Sequence, residues 1–248
     1  MNPLYSGIKL IESKYHMIRL IYANRFRLFH YSYIVLLFLS GYYIAPVRAV
    51  DELTLSLTGN KQIHANLLTL ETFSHQDDWE AYSSPKGVEL GIENGVYRMS
   101  SISKGYVWGL NKEQHSDVVL EVDVTPMMPD TSNAFGVMCR ADESDNGDGY
   151  YFMIKGDGYY SISKGEGKDI KPLVAWKASD AIHVGIDKNA VRAVCLGDSL
   201  ALYVNDKLLI ETHDDTYTSG YAGLAVAAAA SGSDVAFDNL ATYKITNP

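Results

Sequence analysis

Residues 191–210, VRAVCLGDSLALYVNDKLLI, decide the fold. They read as three short strands broken by two tight polar turns, Gly197-Asp198 and Asn205-Asp206. Both dipeptides supply the positive φ that two-residue hairpin turns require. Between them Leu200, Leu202 and Val204 alternate with Ala201 and Tyr203, the period of a pleated strand with two different faces. A repeated strand-turn-strand rhythm builds antiparallel sandwiches, and most of these bind ligands without transforming them.

The same rhythm extends in both directions. Residues 96–102, 106–110, 118–125, 134–140, 170–176, 221–229 and 234–243 all read as strands. In 118–125 (VVLEVDVT) Val118, Leu120, Val122 and Val124 share one face and Glu121 and Asp123 the other, with Pro126 and Pro129 closing the run. The clearest hairpin is 149–164, where two alternating arms flank Gly156-Asp157-Gly158. Its Phe152, Ile154, Tyr160 and Ile162 are expected on one face. No window holds a sustained helical period. Ten to thirteen short strands without helices predict an all-β fold, an antiparallel β-sandwich of jelly-roll type over residues 71–245, with no domain boundary inside it. Residues 50–70 are ambiguous: Leu53, Leu55 and Leu57 alternate before Gly59-Asn60 breaks the run, as in a linker or a loosely attached first strand.

Charge separates the N-terminal arm from the body. The chain carries 21 basic and 30 acidic residues, of which residues 1–49 hold six basic (Lys9, Lys14, Arg19, Arg25, Arg27, Arg48) and one acidic, Glu12. That leaves 15 basic against 29 acidic residues for 50–248, a net charge of −14. Nucleic acid and anionic lipid both need a positive footprint, so neither suits this body. The arm has the parts of a signal peptide. Arg19, Arg25 and Arg27 precede a twelve-residue apolar run, Tyr33 to Ile44, and Val47-Arg48-Ala49 places small residues at −3 and −1 of a cleavage site. Met17 offers a second start just ahead of the arginines. The apolar run falls well short of the ~20 residues of a spanning helix. Cleavage after Ala49 and a secreted, extracytoplasmic body are therefore expected, with no transmembrane span remaining.

The mature chain has two cysteines, Cys139 and Cys195, each in an expected strand. In an oxidising compartment an even pair suggests a disulfide, the alternative being two buried thiols.

Taken in order, Phe73…Trp79, Gly105-Tyr106-Val107-Trp108 and the segments LALYVNDKLLIE (200–211), SGYAGLAVA (219–227) and VAFDNLA (235–241) resemble the concanavalin A-like lectin/glucanase superfamily. The resemblance is nearest to its laminin-G-like branch, with bacterial 3-keto-disaccharide hydrolase-type domains, and covers about 170 residues. These are framework motifs, which speak to fold more than to activity. Glucanases of the superfamily carry carboxylates near E-x-D-x-x-E along one strand. Here Glu121-Val122-Asp123 is the only approach, and Pro126 stands where the third carboxylate would be. Hydrolysis needs two carboxyl groups with separated pKa values across the scissile bond, so the pair reads instead as a solvated strand face. No G-x-S-x-G, H-E-x-x-H or C-x-x-C pattern occurs, and no phosphate-binding glycine loop. His115 and His213 read as residues of surface turns.

Two features remain as candidate sites. Residues 142–149 (DESDNGDG) concentrate Asp142, Asp145 and Asp148 with an amide and two glycines, oxygen ligands of the kind Ca²⁺ prefers. A soluble acidic turn is the competing reading. Beside that loop lie the doublets Tyr150-Tyr151 and Tyr159-Tyr160, and Trp176 is close in sequence. Sugar rings stack on exposed aromatic faces while Asp and Asn accept their hydroxyl protons. Tyr151, Tyr159 and Trp176, with Asp157 at the hairpin tip, are therefore expected to bind carbohydrate, the acidic loop and hairpin forming one working edge. The expected function is a secreted lectin-like module for carbohydrate or cell-envelope polymer. The alternatives are a glycoside hydrolase acting on 3-keto-disaccharides and a structural or adhesive envelope domain.

Overall fold

The computed structural model describes residues 49–75, 79–144, 146–229 and 231–247. The expected leader lies outside these residues except for Ala49. In chain order the strands are β1 (Glu52–Ser56), β2 (Gln62–Glu71), β3 (Tyr82–Ser84), β4 (Val88–Glu93), β5 (Val96–Ser101), β6 (Gly105–His115), β7 (Val118–Pro126) and β8 (Ala134–Ala141). They continue as β9 (Gly149–Lys155), β10 (Tyr159–Glu166), β11 (Asp169–Ala178), β12 (Asn189–Leu196), β13 (Ser199–Val204), β14 (Lys207–His213), β15 (Gly220–Ala228) and β16 (Ser233–Asn247). The only helical element among the described residues is a three-residue 3-10 turn, Thr58–Asn60. No described helix is long and apolar enough to cross a membrane.

The strands form two antiparallel sheets. One runs β14-β13-β12-β7-β16-β5-β4-β3 and gains β2 and β1 beside β16; the other runs β11-β10-β9-β8-β15-β6. The stretch 191–210 folds as its turn chemistry dictates. Leu196 pairs with Ser199 across one two-residue turn and Val204 with Lys207 across the other. Gly197 takes φ 55, and Asn205 and Asp206 take φ 49 and 66, the left-handed region that Gly, Asn and Asp tolerate best. Leu200, Leu202 and Val204 point into the core between the sheets, where they meet Phe152, Ile154, Tyr160 and Ile162.

Residues 50–70 are neither a linker nor loosely attached. β2 pairs with the C-terminal half of β16, and β1 pairs back onto β2. This hairpin lays Leu55, Leu57, Ile63 and Ala65 over Val119, Val194, Ala201, Tyr203 and Tyr243, which closes a second core on the outer face of the larger sheet. Tyr203 Oη donates to the Ser56 carbonyl at 2.6 Å and fastens the hairpin down.

Glu121 and Asp123 also depart from expectation. Both are buried on that same outer face. Arg192, directly opposite Glu121 in the ladder, bonds to Glu121 and to Asp206, and Lys188 Nζ donates to Asp123 at 3.0 Å. Buried charge costs several kcal/mol per ion unless it is paired, so these strands hold their carboxylates with cations rather than offering them to solvent. The neighbouring Asp238 carboxyl is pushed up by burial and by the Asp123 charge.

The sheets are bolted together at one end. Cys139 of β8 and Cys195 of β12 form a disulfide with Cα atoms 6.8 Å apart. The next residue, Arg140, has φ 53 and a buried side chain. Its guanidinium donates to the carbonyls of Ser116 at 2.9 Å, Gly197 at 2.7 Å and Tyr217 at 2.8 Å, and pairs with Asp117 at 3.2 Å.

The bridge closes a loop of 56 residues, worth about 4 kcal/mol in the chain-entropy account. Replacing both cysteines by alanine is therefore expected to lower Tm by roughly 8–16 °C by calorimetry. A change under about 2 °C would show that the remaining contacts suffice.

Candidate functional site

The outer face of the six-stranded sheet has two regions. Toward β6 it is closed: Ala134, Met138, Ala141, Tyr151, Met153 and Ala225 are buried, with Trp108 and Tyr221 packed against them. Toward β11 it is open. Tyr159 is 41 % exposed and Trp176 38 %, and Asp157 is exposed at the turn between β9 and β10.

A register slip turns Trp176 outward. Val174 pairs with Ile162, whereas Lys177 pairs with Tyr160, so β11 carries one residue more than β10 across this interval. Such a bulge reverses the alternation of faces. Val174 therefore lies in the core, while Trp176 stands on the opposite face with Lys155. Lys155 Nζ sits 4.4 Å from the indole centroid, a cation–π contact that fixes the ring against the sheet. The result is one patch of Trp176, Tyr159 and Lys155, with Asp157 at its edge.

Tyr151 does not join this patch. Alternation does send Tyr150 inward and Tyr151 outward, but the outward ring is covered. Tyr106 packs edge-on at 5.9 Å, and the Tyr151 hydroxyl donates to the Gly147 carbonyl at 2.7 Å. Burial pushes its phenol pKa well above the usual value. Tyr151 thus holds the 142–149 loop against the sheet.

Asp142 and Asp148 of the loop serve backbone amides. Asp142 Oδ1 accepts from the Ser144 amide at 2.7 Å and Asp148 Oδ1 from the Gly167 amide at 2.5 Å. Glu143 accepts from the Tyr221 hydroxyl at 3.1 Å. Asp145 lies outside the described residues. Among the described residues no three His, Cys, Asp or Glu side chains converge on a point that could hold a metal ion. The loop and the patch also sit at opposite ends of the seven-residue strand β9, roughly 20 Å apart at the rise of a strand. They do not form one edge.

Beside the loop, Asp214 joins the two sheets. It accepts from the Tyr150 hydroxyl at 2.6 Å, Lys164 Nζ at 2.8 Å and the Thr216 amide at 3.0 Å. Burial opposes its ionisation, but these hydrogen bonds outweigh that and hold the carboxyl well below the usual carboxylate range. Burial and the Asp214 carboxylate push the Tyr150 phenol up to about 12. Of the two histidines, His213 is exposed, 3.6 Å from Asp198, and His115 ends β6 rather than standing in a turn. Burial lowers the His115 pKa.

No family model matches the chain, and no curated protein matches it. Solved structures do. An endo-beta-1,3-glucanase from Pyrococcus furiosus superposes with TM-score 0.56 at 12 % identity, over 81 % of this chain and 100 % of that one. A protein of unknown function with a galectin-like fold from Bacillus subtilis gives TM-score 0.54 at 13 % identity, over 73 % and 97 %. The carbohydrate binding module CBM66 from Bacillus subtilis gives 0.53 at 20 % identity, over 68 % and 98 %. All share the concanavalin A-like jelly roll, and that is the fold of this chain.

The depressed Asp214 pKa sets a pH dependence. Its stabilisation is fully present above the unfolded-state value near ~4 and is lost as pH falls below it. Between pH 6 and pH 2.5 the native protein is expected to lose more stability than Asp214→Asn, measured by urea unfolding at each pH. Parallel curves would place the acid sensitivity elsewhere.

Proposed function

We propose that this chain is an exported module that binds carbohydrate, without catalysis, on the patch formed by Trp176, Tyr159 and Lys155. The observation that carries this reading is the exposure of Trp176. The bulge in β11 turns a large apolar ring out of the core, and Lys155 then holds it in place on an open sheet face. The C–H face of a sugar ring stacks on such an indole, and Asp157 can accept hydroxyl protons beside it. The fold supports the reading, since a carbohydrate binding module and a glucanase are among the structures it resembles. Binding is favoured over hydrolysis because Glu121 and Asp123, the nearest approach to a catalytic pair, are buried with Arg192 and Lys188. The disulfide supports export, because such bridges persist in oxidising compartments.

A glycan array followed by calorimetry on the best ligand tests this. Trp176→Ala and Tyr159→Ala are each expected to weaken binding about tenfold, near 1.4 kcal/mol, with the cooperative melting transition retained because both rings are partly exposed and lie outside the core. Tyr159→Phe keeps the stacking ring and should retain most of the affinity. Silence across the array, or undiminished binding by both alanine variants, would overturn the proposal.

A further inference from the structure

The two ends of the sandwich differ in kind. The loops that follow β3, β5, β7, β9, β11, β13 and β15 lie at the end away from the disulfide, and those that follow β4, β6, β8, β10, β12 and β14 at the end beside it. Each loop can be counted with the strand residue that borders it on either side. On that count the disulfide end holds ten described Asp and Glu residues against one cation, Lys168. The far end holds five Asp against five Lys and is neutral.

The far end also carries the four most exposed large apolar side chains among the described residues. These are Ile102 after β5, Met127 after β7, and Val184 and Ile186 after β11, all between 57 and 75 % exposed. Among the described residues, no large apolar side chain of the disulfide-end loops is exposed. The loops that hold the four are braced by their backbones. The Ile102 amide donates to the Gly87 carbonyl at 3.0 Å, the Met127 amide to Asp234 at 2.8 Å and the Gly185 amide to Gly156 at 2.8 Å. Aliphatic groups gathered in water at one place mark an interaction surface.

Three features select the partner. The aliphatic groups are widely spread, because β6 and β11 are the opposite edges of the six-stranded sheet. Ile102, on the loop entering β6, and Val184, on the loop leaving β11, therefore stand about 24 Å apart at the spacing of strands. One small ligand cannot touch both, whereas a flat interface meets all three loops at once. Behind these tips stand the exposed rings of Tyr106, Tyr159 and Trp176, each within three residues of a loop. Tyr and Trp, with an apolar body and a polar tip, suit the headgroup layer of a membrane. The balanced Lys and Asp complement headgroups that carry both charges, whereas a net anionic surface would repel the acidic body. We propose that the end of the sandwich away from the disulfide docks on a zwitterionic lipid bilayer. Ile102, Met127, Val184 and Ile186 enter the boundary between headgroups and acyl chains, and Lys86 and Lys104 reach headgroup phosphates. The chain lies on the bilayer without spanning it, and its acidic end points into water. This docking does not rest on sugar binding at Trp176.

The test is co-sedimentation of the exported protein with sucrose-loaded vesicles of phosphatidylcholine, and of phosphatidylcholine mixed with phosphatidylglycerol. The protein is expected to pellet with phosphatidylcholine as lipid is added, in low and high salt alike, and to pellet less with the mixed vesicles. Ile102→Ser and the double variant Val184→Ser/Ile186→Ser should each weaken partitioning about tenfold. Leu68→Ser, which removes an exposed aliphatic group from β2, should leave it unchanged. The two loop variants alter separate loops outside the core, so each tests the proposal without the other. No partitioning into phosphatidylcholine, partitioning unaltered in both loop variants, an equal loss in Leu68→Ser, or stronger binding to the anionic vesicles would overturn the proposal. Self-association abolished by the loop variants, without vesicle binding, would overturn it in favour of a second copy as the partner. Loss of sugar binding in Trp176→Ala with vesicle binding kept would leave it standing.

Discussion

The clamp at Cys139, Arg140 and Cys195 is the constraint from which the rest of the sandwich follows. A disulfide ties the facing sheets, and the adjacent guanidinium ties the ends of several strands through three backbone carbonyls. Arg140 is buried, and burial lowers its pKa against the opposing charge of Asp117. Its donors therefore need those carbonyls, and the turns that present them are held in register by it. Asp214 adds a second bond between the sheets, through Tyr150 and Lys164 of the smaller one.

With one end fixed, the other end is where the fold presents its open surface. Cys139 pairs with Tyr150 at the start of β9, and Ala134 pairs with Lys155 at its end, so the Trp176 patch lies at the end away from the clamp. Its turn is braced rather than tied through. The Gly185 amide donates to the Gly156 carbonyl at 2.8 Å and the Ser179 amide to the Gly158 carbonyl at 2.9 Å. The bracing loop is itself held by Asn205, whose side chain donates to the Ala181 carbonyl and to Asn189. Asn205 thus makes a hairpin turn with its backbone and positions the loop beside the site with its side chain.

What the sequence disclosed and what it hid divide along the range of the interactions. The turns at Gly197-Asp198 and Asn205-Asp206 are local, and their residues alone specify them. The 50–70 hairpin was ambiguous because its partner is remote: Leu70 pairs with Ala241. Tyr151, expected on an exposed face, is buried because its cover comes from Tyr106 of β6, far along the chain. Arg192, a lone cation in an apolar strand, was the available signal that Glu121 has a buried partner. Trp176 is the instructive case. It is exposed as expected, but strict alternation with Val174 would bury it, and the extra residue that turns it out shows only in the register between β10 and β11. Lys155, which sets the indole, ends β9, and nothing in the sequence around it signals that role.

The central claim is that the ring turned out by that bulge receives a sugar. A crystal structure with the best-binding oligosaccharide tests this most directly. The account predicts a sugar ring stacked parallel to the Trp176 indole, with a hydroxyl within hydrogen-bond distance of Asp157 or Lys155. A saccharide bound elsewhere while Trp176 stays bare, at ligand concentrations that saturate the protein in solution, would contradict it.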